Sequence, residues 1–492
     1  MRDKRHPTTF IERLLGSPRI RSGYASLIAH VAVLIMLALA MIPVDIRARP
    51  RPIVIVLADA AEDNTDPGSS SGDGLPEQAI VEIAAHAPAA VDPIIPEPIP
   101  VAIEPVPPLP PATAAEAPVG DRDLINVVAP HAGEASPVEA DSVRQAYAGR
   151  RGPGRGRGVL EHGGSAASEA AVERGLAWLA RHQAADGSWR FDLAGCHCDG
   201  GCRDPGTVSS TTAATGIALL PFLGAGHTHV EGIHRETVTR GIYYLMSRMQ
   251  PTPRGGDLSE GTMYGHGVAT LALAEALGMT RDQALVRYVR DAVRFIETAQ
   301  DLHGGGWRYF PGQPGDTTVT GWQLTAVKSA GLAGIEVPSP TIDGVCRFLD
   351  RVQVGRGEAY GYQSPHSRPC TSAIGLLCRL YTGWPNGRAI DRGLAALAKS
   401  GPAPDAVYLN FYLAQALLQR DHPSWTKWNS RNRDHLVARQ ASIGHEAGSW
   451  FFADSETASG GRLAHTALAV LTLEVYYRLL PIYRPEAVAA GW

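Results

Sequence analysis

Cysteine is scarce in this sequence, with 6 residues among 492. That number is too low for a fold held together by disulfide bridges. Charged residues make up 19% of the chain, and the formal net charge is −4. Since basic residues are not in excess, we expect no nucleic-acid partner.

Proline and the aromatic residues are unevenly distributed. The 37 prolines are concentrated in the first third of the chain, whereas aromatic residues are concentrated after residue 170. Residues 45–164 contain proline-rich stretches typical of extended polyproline II and others rich in glycine and serine. They end in a basic, glycine-rich stretch, residues 150–158. We therefore predict a disordered linker over residues 45–164, with a flexible hinge at 150–158.

Residues 24–44 form an uncharged, apolar run of about the length that crosses a bilayer as a helix. Six basic residues precede it and three follow closely. The positive-inside rule then places residues 1–23 in the cytoplasm. A cleaved signal peptide is the alternative, but the run is long and lacks a clear small-residue cleavage site. We predict a single-pass protein of the bacterial inner membrane, with the rest of the chain periplasmic or otherwise extracytoplasmic.

A repeated unit organises the second part of the chain. Its first copy is an amphipathic helix pattern ending at Gln183, followed by the Asp186-Gly187 turn and Trp189. Six such outer helices end near Gln183, Gln250, Gln300, Gln353, Ser400 and Gln440, and each is followed by a more apolar inner helix. A single helical hairpin cannot bury its own apolar face, so successive units must pack side by side. We predict an all-α fold in which six hairpins over residues 165–486 close into an (α/α)6 toroid.

Units of the form helix–Gln–Gly-x-Trp resemble the prenyltransferase and squalene-oxidase repeats, the QW motifs of terpenoid cyclases. The pattern of residues 220–226, 315–322 and 473–478 is also similar to uncharacterised membrane-anchored toroid proteins of planctomycete-type bacteria. The resemblance implies a toroid that takes a prenyl or terpenoid lipid. The D-x-D-D acid motif of the cyclases and the zinc signature of the prenyltransferases are both absent. Whether the protein is an enzyme therefore stays open.

Five residues are candidates for catalysis. Asp257, Glu260, Tyr264 and His266 share one glycine-rich loop before an inner helix, and Asp257 with Glu260 could form the paired carboxylates of a glycoside hydrolase. Asp316 could act as a general acid if its surroundings keep it protonated. The structural alternative is that these residues cap helices or favour their dipoles.

Aromatic and polar residues near the inner-helix starts are candidates for substrate binding. Polar residues recur at the same place, as Thr215, His266, Thr320, Asn410, and His465 or Thr466, with Ser372 close to it. A polar ring above an apolar barrel would suit a lipid with one polar end. We name Trp307, Trp322, Tyr412 and His465 as substrate-binding residues, against the alternatives of helix capping and core packing.

Three cysteines, Cys196, Cys198 and Cys202, are candidates for a metal site. A Cys-x-Cys-x3-Cys spacing plus one histidine can hold tetrahedral zinc, and His197, His227 and His229 are near in sequence. Outside the cytoplasm, two of the thiols can instead form a disulfide. Zinc is therefore possible but is not the favoured interpretation.

Three functions fit these observations. The first is binding or transformation of an isoprenoid lipid by a toroid attached to the membrane through residues 24–44. The second is a non-catalytic envelope scaffold, for which the sequence identifies no protein partner. The third is a carbohydrate-active enzyme that uses Asp257 and Glu260.

Overall fold

The computed structural model describes residue 147, residues 149–198 and residues 200–478. The predicted membrane helix, residues 24–44, and most of the predicted linker lie outside this part of the chain. Among the helices that are described, none is both long and apolar enough to span a bilayer.

Twelve of the described helices alternate between two layers. The outer helices are α2 (Ala166–Arg181), α4 (Arg235–Arg248), α6 (Gln283–Ala299), α8 (Ser339–Val352), α10 (Gly387–Ala398) and α12 (Trp425–Arg439). The inner helices are α3 (Thr211–Gly224), α5 (Met263–Thr280), α7 (Thr317–Leu332), α9 (Pro369–Tyr381), α11 (Val407–Gln419) and α13 (Gly461–Leu473). Two further helices, α1 (Gly152–His162) and α14 (Val475–Arg478), flank the set, and a 3-10 turn covers Ala458–Gly460.

The inner helices form a closed ring. Each of them packs against the next in chain order, and α13 packs against α3. The outer helices are amphipathic, as in α6, where Leu285, Val289 and Ile296 are buried on one face. Each inner helix is entered from an outer helix, so all six start at the same end of the ring, which we call the mouth. The described chain is mostly helical, in agreement with the predicted all-α toroid.

The recurring glutamines connect neighbouring outer helices. In three repeats the side-chain amide donates a 2.9 Å hydrogen bond to a backbone carbonyl of the next outer helix. The pairs are Gln183 with Thr237, Gln300 with Thr341, and Gln440 with Ala171, the last of which closes the outer ring.

The recurring tryptophans fold back onto the outer helix that precedes them. Each indole N–H donates to a carbonyl near the end of that helix, and the pairs are Trp189 with Leu179, Trp307 with Ile296, and Trp450 with Leu436. The turn before Trp189 needs glycine, because Gly187 has φ 89° and a Cβ there would lie 2.6 Å from the Arg240 carbonyl oxygen. Glutamine and tryptophan together staple the outer layer, as the repeat predicted.

Two repeats close with a short antiparallel β-hairpin in place of a tryptophan turn. Strands β1 (Gln250–Thr252) and β2 (Gly255–Asp257) pair in the second repeat, with Gln250 opposite Asp257. Strands β3 (Gln353–Val354) and β4 (Ala359–Tyr360) pair in the fourth.

The predicted flexible hinge at residues 150–158 is wrong. Most of it lies in α1, which has proline in its first turn and packs on α14. The Arg150 side chain is fully buried, 2.8 Å from Glu275 on α5, and it also donates to the Leu223 carbonyl on α3. Composition indicated a linker because it could not show that a buried carboxylate at the far end of the barrel neutralises this arginine.

Candidate functional site at the mouth of the barrel

The hydroxyl groups at the inner-helix starts hold the turns that close the hairpins. In four repeats the hydroxyl oxygen accepts a hydrogen bond of 3.0 to 3.1 Å from the backbone N–H of the closing aromatic residue. The pairs are Thr215 with Trp189, Thr320 with Trp307, Ser372 with Tyr360, and Thr466 with Trp450. These contacts give the predicted polar ring a structural role.

His266 and His465 hold loops in the same way. The Nδ1 atom of His266 accepts from Leu258 N at 3.1 Å, and its Nε2 atom lies 3.0 Å from the Ala292 carbonyl. His465 accepts from Phe452 N, and its Nε2 atom bonds the Thr457 hydroxyl. Burial lowers the pKa of His266 to about 4, so this imidazole is neutral at pH 7.

Asp257 and Glu260 are both occupied by local contacts. Asp257 accepts from Ser259 N at 2.7 Å. One carboxylate oxygen of Glu260 caps the start of α3 by accepting from Thr211 N and Thr212 N, and the other pairs with Arg248 at 2.6 Å. Burial raises the Glu260 pKa, but the hydrogen bonds outweigh burial and leave it lowered. An ionised carboxylate of this kind is suited to capping; its predicted catalytic role stays a prediction.

Asp316 begins α7 at the mouth and is fully buried. Its Oδ1 atom accepts from Val319 N and from the Thr318 hydroxyl, both at 2.8 Å. Its Oδ2 atom lies 3.9 Å from Arg308 Nε, and no described group meets it in hydrogen-bonding geometry. The Tyr362 hydroxyl lies close enough to lower the Asp316 pKa as a hydrogen-bonding neighbour, although it does not meet Oδ2 in strict hydrogen-bonding geometry.

The Asp316 pKa is raised above its usual value. Burial raises it, while the hydrogen bonds from Val319 and Thr318, the Tyr362 hydroxyl and the Arg308 charge lower it, and burial prevails. The site therefore combines a carboxyl shifted toward its protonated form with one oxygen that has no hydrogen-bond partner among the described residues.

Phenol groups surround this carboxyl. The Tyr264 hydroxyl donates to the Thr318 hydroxyl at 2.5 Å, which in turn donates to Asp316. The hydroxyls of Tyr309 and Tyr362 lie 3.1 Å apart. The Tyr264 and Tyr309 ring centroids are 6.2 Å apart, so the two hydrogen-bonded groups also meet through their rings.

An aromatic cluster lies beside the phenols. The Trp322 ring stacks at 6.1 Å on Phe411, and Tyr412 packs edge-on against both. Because α9 separates α7 from α11 in the ring, contacts between Trp322 and Phe411 must cross the lumen. These aromatic side chains are themselves buried, so the mouth contains a packed, π-rich cluster near a buried acid.

The structure brings together four of the predicted residues, Tyr264, Asp316, Trp322 and Tyr412. Trp307 lies in the wall between outer and inner layers, and His465 lies under the last loop. Sequence reasoning missed four members of the site: Thr318, Tyr309, Tyr362 and Tyr408. Thr318 and Tyr408 are near inner-helix starts, which was a usable signal, whereas Tyr309 and Tyr362 lie on loops of unequal length.

The three predicted cysteines also come together, in the loop between α2 and α3. The ligand atoms of His182, Cys196 and Cys198 all lie within 4.8 Å of one another. The Cys202 sulfur lies 3.1 Å from His182 Nε2. All four side chains are buried. The histidine of this group is the residue that ends α2, rather than His197, His227 or His229.

Residues 157–270 match the family model of the squalene-hopene cyclase C-terminal domain. The matched stretch runs from α1 into α5 and includes the Gln183 and Trp189 staple. The resemblance to terpenoid-cyclase-type repeats is therefore confirmed, and the described fold is a terpenoid-cyclase-like helical toroid. A search of curated protein sequences gave no significant match.

Solved structures of two sugar-acting proteins are similar in fold. The α-1,6-mannanase of Salegentibacter sp. HEL1_6 shares 11% identity over 63% of this chain and 98% of its own, with a TM-score of 0.45. Cellobiose 2-epimerase from Bacillus thermoamylovorans shares 13% identity over 60% of this chain and 92% of its own, with a TM-score of 0.42. Likeness at this level carries no inference about activity.

Proposed function

We propose that the toroid binds a prenyl or terpenoid-type lipid at its mouth, with Asp316 holding or protonating one reactive end. The observation that carries this proposal is the buried carboxyl whose Oδ2 atom has no hydrogen-bond partner in the described structure, beside the aromatic cluster. Leaving a buried polar atom unpaired costs about 1–3 kcal/mol, which a ligand hydroxyl that donates to Oδ2 would offset.

The raised pKa of Asp316 gives the carboxyl two uses. A protonated acid can donate a hydrogen bond to an alcohol or carbonyl oxygen, or deliver its proton to an alkene. The neighbouring rings of Trp322 and Phe411 would then face any positive charge that develops on the hydrocarbon. An apolar ligand with one reactive end uses both parts of the site.

The predicted anchor and location are part of the same proposal. Residues 24–44 hold the toroid beside the bilayer, in which prenyl lipids dissolve, on the extracytoplasmic side of the bacterial inner membrane. A tether of this kind raises the effective concentration of lipid at the mouth without any further contact.

Titration of the full-length protein in mild detergent with a long-chain isoprenoid alcohol tests the proposal, with tryptophan fluorescence as the readout. Asp316→Asn keeps an N-cap residue and so keeps α7, but removes the acid. Asp282→Asn is the matched control, because Asp282 caps the outer helix α6 by accepting from Ala284 N. We expect Asp316→Asn to weaken binding about tenfold or more and Asp282→Asn to leave it unchanged.

Two results would overturn the proposal. The first is wild-type protein that does not bind the isoprenoid alcohol under these conditions. The second is equal binding by both variants, which would remove Asp316 from the site. Saturable binding of mannose oligosaccharides, unaffected by the isoprenoid alcohol, would favour the carbohydrate-active alternative.

A further inference from the structure

The geometry points to a structural zinc site formed by His182, Cys196, Cys198 and Cys202, which fixes the seam where the first and last repeats close the ring. This inference is independent of the lipid site, because none of the four residues lies on an inner helix. Three thiolates and one imidazole are a ligand set typical of structural zinc.

Three of the four side chains lie at mutual distances close to those around a tetrahedral ion. Zinc–sulfur bonds of about 2.3 Å and zinc–nitrogen bonds of about 2.0 Å place ligand atoms roughly 3.5 to 3.8 Å apart. Three of the ligand atoms lie within 4.8 Å of one another, and the fourth, the Cys202 sulfur, is 3.1 Å from His182 Nε2. The group within 4.8 Å of one another contains His182, Cys196 and Cys198, so the Cys202 side chain has to turn toward the other two sulfurs to complete a tetrahedral set.

The histidine is already held in the form that zinc needs. Its Nδ1 atom lies 2.7 Å from the Trp178 carbonyl, so Nδ1 carries the proton and Nε2 presents its lone pair to the sulfurs. A carbonyl partner of this kind is a regular feature of zinc-bound histidines. The Trp178 ring stacks on the imidazole at 3.8 Å and covers it from solvent.

The cysteine loop is tightly folded. Gly201 N donates a 2.7 Å hydrogen bond to the Cys198 carbonyl, and the Cys196 sulfur lies 3.0 Å from the Leu193 carbonyl. Gly200 adopts φ 76°, which lets the chain turn tightly between the second and third cysteines. A disulfide would use two of the three sulfurs and would leave the third, with His182, unexplained.

The site lies at the seam of the toroid. Immediately after Cys202, Arg203 pairs with Glu446 at 2.8 Å. The Arg462 side chain donates to the Arg203 carbonyl and to the Asp204 carboxylate. Gly444 and His445, in the loop after α12, border a groove of about 490 Å³. The same groove reaches His182 and Cys198. The groove provides an entry path for the ion.

A structural ion here would tie the end of the first outer helix to the loop that contacts the sixth repeat. All four ligands belong to the first repeat, so the ion would act on the seam by fixing the loop whose Arg203 and Asp204 contact the last repeat. Zinc in this position stabilises ring closure and takes no part in chemistry at the mouth.

Metal analysis of the full-length protein tests this inference, with untagged protein purified in mild detergent without chelator. We expect about one zinc ion per chain in the wild type. Cys198→Ser and His182→Gln should each retain less than about a tenth of that zinc. Cys378→Ser is the matched control, since Cys378 is a buried thiol on the inner helix α9, and it should keep the full amount.

A second measurement covers the case in which a ligand variant does not fold. A strong chelator should lower the Tm of the wild type and of Cys378→Ser, and zinc should restore it. Cobalt should give the thiolate charge-transfer bands of a tetrahedral site. Wild-type protein without metal, or with two of the three thiols joined in a disulfide, would overturn the inference.

Discussion

The indole N–H of Trp322 donates a 2.8 Å hydrogen bond to the Tyr408 hydroxyl across the lumen of the barrel. The two residues belong to α7 and α11, which are not neighbours in the inner ring. The bond therefore sets the spacing of α7 and α11, the two inner helices on either side of α9. It also satisfies a polar atom that the aromatic cluster would otherwise bury without a partner.

Removing this partner should destabilise the fold. Tyr408→Phe leaves the buried Trp322 N–H without an acceptor, and we expect unfolding to require about 1–3 kcal/mol less free energy. Tyr412→Phe is the matched control, because its hydroxyl makes only a 3.5 Å contact with Tyr408. Chemical denaturation measures the free energy of unfolding of both variants. Equal losses for the two variants would contradict the assigned role of the Trp322 bond.

The glutamine staples should differ in strength according to their contacts. Gln440 donates to Ala171 on α2 and to Gly448, whereas Gln250 is exposed and reaches only Arg248 within its own turn. We expect Gln440→Ala to lower the free energy of unfolding by about 1–2 kcal/mol and Gln250→Ala to change it by less than about 0.5 kcal/mol. The denaturant midpoints of Gln440→Ala and Gln250→Ala, each compared with the wild type, test this difference. A larger loss for Gln250→Ala would refute the staple interpretation.

The charge cluster at the far end of the barrel should be sensitive to loss of its acid. Glu275 pairs with Arg150 at 2.8 Å and with Arg478 at 2.7 Å, and all three are buried. Glu275→Gln leaves two arginine charges without their carboxylate, so we expect a loss of about 3–5 kcal/mol.

Glu231→Gln provides the control for that variant. Its partner Arg151 lies at the surface, so the loss should stay below about 1 kcal/mol. If Glu275→Gln were no more harmful than Glu231→Gln in thermal unfolding, the N-terminal segment would not be anchored in the barrel as described.

Stability should fall with pH below neutrality because of His266. Its pKa is about 4 in the folded protein, lowered by burial, against 6.5 for the ordinary side chain. Between pH 6.5 and 4, the unfolded chain therefore binds a proton at His266 that the folded chain does not bind. The stabilisation is present above pH 6.5 and is lost as pH falls toward 4, by a total of about 3 kcal/mol.

The contribution of His266 appears in the slope of the unfolding free energy against pH. His266→Gln should show a shallower fall of unfolding free energy between pH 6.5 and 4 than the wild type. His366→Gln, which changes an exposed histidine, should follow the wild-type curve. Parallel curves for wild type and His266→Gln would show that the imidazole is not buried in neutral form.

The repeat architecture was predictable because its signals are local. Gln183 and Trp189 lie within one helix-and-turn unit, so their spacing recurs in sequence wherever the unit recurs. The role of Thr215 was harder to predict, because a threonine at a helix start fits capping equally well. Only the structure shows that its hydroxyl holds the Trp189 backbone.

The sites depend on contacts that sequence spacing does not encode. Tyr362 reaches Asp316 from a loop of another repeat, and its position follows from ring closure. His182 is only 14 residues before Cys196, but its place at the end of an outer helix indicates a helical residue, so the sequence did not single it out as a partner of the cysteines. Arg150 was assigned to a linker because its carboxylate partner is more than a hundred residues away.

Native mass spectrometry of the full-length protein, extracted from membranes in mild detergent, tests the central claim most directly. The account predicts that the wild type and Asp282→Asn carry one isoprenoid lipid per chain and that Asp316→Asn carries none. Folded wild-type protein without any bound isoprenoid, or Asp316→Asn with as much as the wild type, would contradict it.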